Sequence, residues 1–172
     1  MADYVSTGCV NVVGTITTGI SHLEGLTASV LADGVVASEV VTSGAVTTEG
    51  SEIHVGLPYI SEMETLNVEV PMADGTLQGR AVKISNVTYR VIKTRGGFIG
   101  PDKNTTYEAF TDANLEKATK IADDTPGDPP LYNVDIRVPI GAGYEAGGRI
   151  YYKQTDPLPV TIIAVIPEVT VE

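Results

Sequence analysis

Between Thr27 and Gly50 the chain is punctuated by glycine at near-regular intervals, and this constrains the fold more than any other feature. Thr27 to Ala32 is an extended apolar run. Asp33-Gly34 follows, Val35 to Val41 returns, and Ser43-Gly44 turns again. Ala45 to Thr48 runs on, and Glu49-Gly50 turns a third time. Asp-Gly between β-branched runs signals a two-residue hairpin, because a type I′ turn needs positive φ at both central positions and glycine adopts it without steric cost. Gly34 is therefore expected as a turn residue. Turns about ten residues apart are the spacing of an antiparallel meander.

The same logic extends down the chain. In "IHVGLPY" Ile53, Val55 and Leu57 share one parity and His54 has the other, and Gly56 and Pro58 interrupt the strand. In "VKISNVTYRVIKTRGG" Val82 and Ile84 are on one parity, whereas Val87, Tyr89 and Val91 are on the other. A strand with one buried face changes parity only through an extra residue, so a β-bulge is predicted near Ser85-Asn86. Gly96, Gly97 and Gly100 read as turns that end this strand. Residues 103–130 are irregular: "DANLEKATKIADD" suits a short helix, a loop or an edge strand equally. "LYNVDIRVPIG" alternates, with Val134, Ile136, Val138 and Ile140 inward and Asp135 and Arg137 outward. "GGRIYYKQ" supplies another strand. Pro157 and Pro159 lead into an apolar run from Val160 to Ile166, which is predicted to be a central strand buried on both faces.

The fold class expected is all-β: an antiparallel β-sandwich or barrel-like sheet pair with long loops, and less than about a tenth of the residues helical. Composition agrees, with 18 Gly, 10 Pro and no Trp, in a chain where β-branched residues are abundant. A chain of 172 residues buries about 70% of its unfolded surface and supports its own core. Residues 1–20 read as an N-terminal arm or linking segment, with Val10, Val13 and Ile16 available as a strand, and residues 21–172 as a single β domain. One cysteine, Cys9, excludes an intrachain disulfide. The sequence has no run of the roughly 20 apolar residues that a membrane helix needs, so no membrane insertion is expected. The N-terminus does not read as a signal peptide.

The chemistry-bearing residues do not converge. His54 has one other histidine, His22, and no cysteine pair with which to hold zinc, so it reads as an outward strand residue. Asp123, Asp124 and Asp128 crowd one loop without an EF-hand register and read as a solvated turn. No G-x-S-x-G, phosphate-cradling glycine loop or Ser/His/Asp order is present. "TRGGFIGPD" lacks the lysine and following helix of a phosphate loop. No catalytic, cofactor-binding or metal residue is assigned, and no cofactor or enzymatic activity is expected. Acidic residues number 22 and basic ones 11, a formal charge of −11, and such a surface repels phosphate, so specific nucleic-acid binding is not expected.

Four stretches, "HLEGLTASVLADG", "IHVGLPY", "VKISNVTYRVIKTRGGFIGPD" and "DPLPVTIIAVIPE", occur in this order over roughly residues 20–168. Together they resemble the C-terminal β-module of tail nozzle, tail tubular or packaged-DNA stabilisation proteins of short-tailed bacteriophages. That stretch is also described as similar to a half-domain of ubiquitin-activating enzyme, which reflects a shared β-fold and not ubiquitin chemistry. Family members are several times longer, with other β-rich domains upstream, and residues 1–19 match none of their motifs. The resemblance implies a structural virion component made in the bacterial cytoplasm and assembled as a ring in the tail. Its partners would be other copies of itself and neighbouring tail proteins, and it would line a DNA channel without gripping DNA. It carries over no catalytic residue. Gly34, Gly56, Pro58, Gly96, Gly97, Gly100, Pro157 and Pro159 are expected as scaffold, and the arm with Val10, Val13 and Ile16 as a link to a neighbouring copy through a sheet edge. The competing expectation is a receptor- or glycan-binding module of a tail tip or fibre, or a virion surface decoration protein.

Overall fold

The computed structural model describes residues 14–15, 19–69, 75–77, 79–101, 115–117, 130–140 and 144–171. These are built from strands and contain no α-helix; a single 3-10 turn spans Ser21–Leu23. The strands are β1 (Gly14–Thr15), β2 (Thr27–Ala32), β3 (Val35–Val40), β4 (Glu49–Gly50), β5 (Ile53–Gly56), β6 (Ser61–Glu64), β7 (Ala81–Thr94), β8 (Phe98–Pro101), β9 (Glu116–Lys117), β10 (Tyr132–Pro139), β11 (Glu145–Ala146), β12 (Ile150–Gln154) and β13 (Ile162–Val171). All their pairings are antiparallel. The described residues form two compact units. One holds those up to residue 59 with residues 130 and 155–157, and the other holds the rest. The sequence placed no boundary near residue 60, where apolar residues run on either side of Pro58.

In the first unit β2 lies between β3 and β5. Asp33 and Gly34 have φ of +47° and +81°, the double positive φ of the expected hairpin turn. Ser43 and Gly44 turn in the same way, with φ of +56° and +68° and a bridge between Thr42 and Ala45. Ala28, Val30 and Ala32 of β2 alternate into a core with Ile20, Leu23, Val41, Val46, Ile53 and Val55. Glu49-Gly50 is not the expected third turn: it is β4, and it pairs with β1. Gly50 is there for closeness, since a Cβ on it would stand 3.1 Å from the Ala32 Cβ and 3.2 Å from an Asp33 carboxylate oxygen. Leu57 lies beyond the end of β5 and is half exposed, although its parity matches the buried Ile53 and Val55.

The second unit is a β-sandwich. One sheet is centred on β7, flanked by β13 on one side and by β10 and β11 on the other; the second has the order β6-β12-β8-β9. Ile84, Val87, Tyr89, Val91, Ile136 and Val138 of the first sheet and Ile99, Ile150 and Tyr152 of the second share one core, so the sheets lie face to face. Each fully buried Val or Ile in it contributes about 1.5–3 kcal/mol relative to exposure. The expected bulge is at Ser85: Asn86 pairs with Glu168 and Ile84 with Val169, which leaves Ser85 as the extra residue. A second parity change follows, where Val91 and Thr94 pair with Val134 and Tyr132. Lys93 there has φ of +45°.

The apolar run at the C-terminal end is not a central strand. Among the described residues β13 pairs only with β7, and Ile163 and Ile166 are 54% and 45% exposed. The run looked two-sided because it contains a bulge: Ile162 pairs with Val91 and Ala164 with Arg90, leaving Ile163 unmatched and turned out. The central strand is β7, whose bulges hide its continuity from a simple alternation rule.

Candidate functional site

A cleft of about 660 Å³ lies in the sandwich unit along the segment that follows β6. Leu77 and Val82, both buried, form its apolar floor. The segment is held by backbone bonds from Thr65 N to Ile150 O and from Val68 N to Gly147 O, both 2.9 Å. Gly147, with φ of +121°, admits it: a Cβ there would stand 3.0 Å from the Asn67 side chain. Arg149 dominates the rim. Its Nε donates to Asn67 Oδ1 at 2.6 Å and its Nη1 to Glu64 Oε1 at 3.3 Å. Glu69 accepts from the Thr76 hydroxyl and from the Leu77 N–H at 3.3 Å. The cleft thus presents one guanidinium and two carboxylates beside an apolar floor. Local patterning does not reveal it, because its lining comes from three separated segments, and Glu64, Glu69 and Arg149 follow no common spacing.

His54 lies outward on β5, as its parity requires, and its Nε2 is 3.1 Å from Glu52 Oε1. Among the described residues no three His, Cys, Asp or Glu side chains are grouped to hold a metal ion. Asp123, Asp124 and Asp128 lie outside the described residues, as do Cys9, Val10, Val13 and Ile16. The two described residues of β1, Gly14 and Thr15, pair with Gly50 and Glu49 of the same chain.

The scaffold residues are dispersed. Gly34 sits in the β2–β3 turn and Gly56 ends β5, with Pro58 two residues on. Gly96 and Gly97, with φ of +75° and +93°, turn the chain from β7 to β8. Gly100 lies inside β8, opposite Tyr151, and not in a turn. Pro157 and Pro159 precede β13, and the Pro159 carbonyl accepts from Arg95 N at 3.1 Å.

Sequence reasoning missed three carboxylates that hold turns. Asp33 accepts the N–H groups of Ser51 and Glu52 at 2.8 and 2.9 Å, and these bonds, Ser51's foremost, hold its pKa below the ordinary value. Glu24 accepts from Ser43 N and Gly44 N at 2.8 and 2.6 Å. Glu39 accepts from the Thr48 hydroxyl and from the N–H and hydroxyl of Thr47, and its pKa is lowered, chiefly by Thr48. Part of the acidic excess is therefore structural. Each carboxylate sits 8 to 20 residues from its donors, beyond any local motif.

In the sandwich, charge on the outer face of the β7 sheet is laddered. Arg90 binds Asp135 directly across the strands through two 2.9 Å bonds. The Glu168 carboxylate receives Arg137 at 2.7 Å and Asn86 at 2.8 Å. Arg90 lowers the pKa of Asp135, and Arg137 followed by Asn86 lowers that of Glu168. Inside, Tyr89 and Tyr152 lie with ring centroids 6.1 Å apart. Neither hydroxyl meets a hydrogen-bond partner among the described residues. Burial pushes the Tyr152 phenol up to about 12 and that of Tyr89 further up.

No family model matches the chain, and no curated protein matches it. No helix among the described residues is long and apolar enough to cross a membrane.

Proposed function

We propose that this chain is a non-enzymatic structural component of a short-tailed bacteriophage virion, a tail nozzle, hub or tubular module working as one of several copies around a symmetry axis. The observation that carries the reading is what the four motif stretches do. "HLEGLTASVLADG" supplies most of the 3-10 turn, β2 and its hairpin turn, and "IHVGLPY" supplies β5 and its exit. "VKISNVTYRVIKTRGGFIGPD" supplies β7 and β8, and "DPLPVTIIAVIPE" leads into and through most of β13. Their described residues serve cores and turns, as suits a building block. The charge of −11 suits a wall past which DNA slides without adhering. Imaging of purified virions with a labelled chain is the test. A cyclic ring at the tail is expected, and absence from virions, or isolated single copies, would end the reading.

One observation favours a second reading, a receptor- or glycan-binding module of a tail tip or fibre, or a surface decoration protein. The cleft beside Arg149 is open, polar-rimmed and apolar-floored, which is the usual character of a small-ligand site. Micromolar binding to a defined sugar on a glycan array, lost in Arg149→Ala, would favour it over the ring.

A further inference from the structure

An antiparallel sheet packed on one side commonly turns a polar face to water. The sandwich follows this rule, since the outer face of its β7 sheet carries the Arg90–Asp135 and Arg137–Glu168 pairs. The first unit departs from it. Register places Thr27, Ser29 and Leu31 of β2 and Val36, Ser38 and Val40 of β3 on the face opposite its core, with His54 of β5 beside Leu31. The six residues of the hairpin carry no charge, and three of them are aliphatic. Thr27, Ser38 and His54 are exposed, and Val40 is 56% exposed. The edge of β3 is covered near Val40, where the chain turns back at Ser43-Gly44 and Glu39 is held on Thr47 and Thr48. The face, not the edge, is the accessible surface.

Carboxylates stand at both ends of this face. At the turn end Asp33 accepts from Ser51 N and Glu52 N, and Glu52 itself lies beside His54. At the other end Gly25 N donates to Val41 O at 3.0 Å, which continues the hairpin ladder, and Glu24 accepts from Ser43 N and Gly44 N. Six residues of strand at about 3.4 Å each span about 20 Å. The centre of the face is therefore about 10 Å from either end, about one Debye length at 0.1 M salt. Asp33 and Glu24 are each fixed by two backbone donors, so they present charge without the ordering cost of a loose side chain. No cationic side chain offsets them along this part of the chain. Residues 1–59 contain Asp3, Glu24, Asp33, Glu39, Glu49 and Glu52 and no Lys or Arg, and the first Lys or Arg of the chain is Arg80.

We propose that this face is a docking seat for one amphipathic basic helix of a partner protein. Charge selects the occupant. The carboxylates repel nucleic acid and anionic bilayers, and a second copy would bring its own carboxylates against them, whereas lysines and arginines are drawn in. Shape agrees. Three strands about 4.8 Å apart and about 20 Å long match the footprint of a single helix 10–12 Å across and about 13 residues long, and a helix is an ordinary cover for an open sheet face. The apolar stripe of the helix covers Leu31, Val36 and Val40, and its basic ends reach Glu24 on one side and Asp33 and Glu52 on the other. This is the anatomy of a protein interface, an apolar centre within a polar rim. The proposal concerns the first unit alone and stands whether or not the virion reading does.

The probe is a synthetic peptide of about 14 residues with leucine at i, i+3, i+4 and i+7 and lysine elsewhere. Titrated into the full chain, it should shift the amide signals of β2 and β3 and gain helical circular dichroism as it binds. Its affinity should fall at least tenfold between about 0.05 M and about 0.5 M salt. Ser38→Lys and Val40→Lys, both at exposed positions, should each weaken binding at least tenfold, and if one of them melts early the other provides the reading. Ser61→Lys makes the same charge change on an exposed residue of β6 in the sandwich and should leave binding unchanged. No binding, signals shifted mainly in the sandwich, or indifference to Ser38→Lys and Val40→Lys would overturn the proposal. So would equal binding of a counterpart with glutamate for lysine, or of a scrambled lysine–leucine peptide, which indicates diffuse charge attraction only.

Discussion

Gly97 is the glycine on which the sandwich depends most directly. A Cβ built on it would stand 2.0 Å from the Tyr152 hydroxyl oxygen and 2.5 Å from its Cζ. Tyr152 cannot move aside cheaply, since it is 5% exposed and packed in the core with Tyr89. Gly97 also has φ of +93°, and an L-residue in positive φ costs about 1–2 kcal/mol. Overpacking a core adds typically about 1–3 kcal/mol. Gly97→Ala should therefore destabilise the sandwich by about 2–5 kcal/mol, or on the order of 10 °C or more in melting temperature for a unit of about 100 residues. Gly56→Ala is the control: nothing lies within 4 Å of its Cβ position, so the change should be within about 0.5 kcal/mol of neutral. Thermal unfolding followed by circular dichroism compares the two. A Gly97→Ala variant melting within about 2 °C of the parent, or no more perturbed than Gly56→Ala, would refute the placement of Tyr152 over this turn.

Val138 is 4% exposed, so Val138→Asp should cost several kcal/mol, on the order of 3 or more, by burying an unpaired charge; a melt within a few degrees of the parent would contradict that. His54→Ala should leave the circular dichroism spectrum, melting temperature and metal content unchanged, because its side chain is half exposed and meets the exposed carboxylate of Glu52; a specific loss of bound metal would count against this. Asp135 and Glu168 have lowered folded-state pKa values, so the stability they add is present above the ordinary carboxylate range near pH 4 and is lost as pH falls through the folded values. Arg90→Gln should flatten the dependence of melting temperature on pH between about 5 and 2, and an unchanged slope would remove Asp135 from the account. Tyr152 and Tyr89 have raised pKa values, so their contribution is present below pH about 10 and is lost as pH rises through the folded values. Absorbance titration should show these phenols ionising together with unfolding, and their ionising in step with exposed tyrosines would refute their burial.

What could be read from the sequence was local. The Asp33-Gly34 hairpin, the outward His54, the alternation of Val134 to Ile140 and the bulge at Ser85 each follow from a few adjacent residues and one geometric rule, and all are present. What failed depended on residues far apart. Glu49-Gly50 looked like a turn because glycine's reason for being there, the nearness of Ala32 and Asp33, is set across the sheet. β13 looked central because a bulge and an exposed apolar face cannot be told from two-sided burial in one strand alone. The cleft beside Arg149 and the carboxylates of Glu24, Asp33 and Glu39 arise from chain returns of many residues, which periodicity does not record.

β7 is flanked by β13, whose paired residues lie roughly 70 to 90 positions further along, and such distant pairings make folding slow. During synthesis, at about 5–20 residues per second, β7 waits for several seconds with one whole flank bare. The nascent chain then carries a long, bulged, β-branched strand with its β13 side open, and its two bulges make it a poor template for a passing stranger. The irregularities that obscured β7 in the sequence thus also act as a safeguard against aggregation while the sandwich is still unfinished on the ribosome.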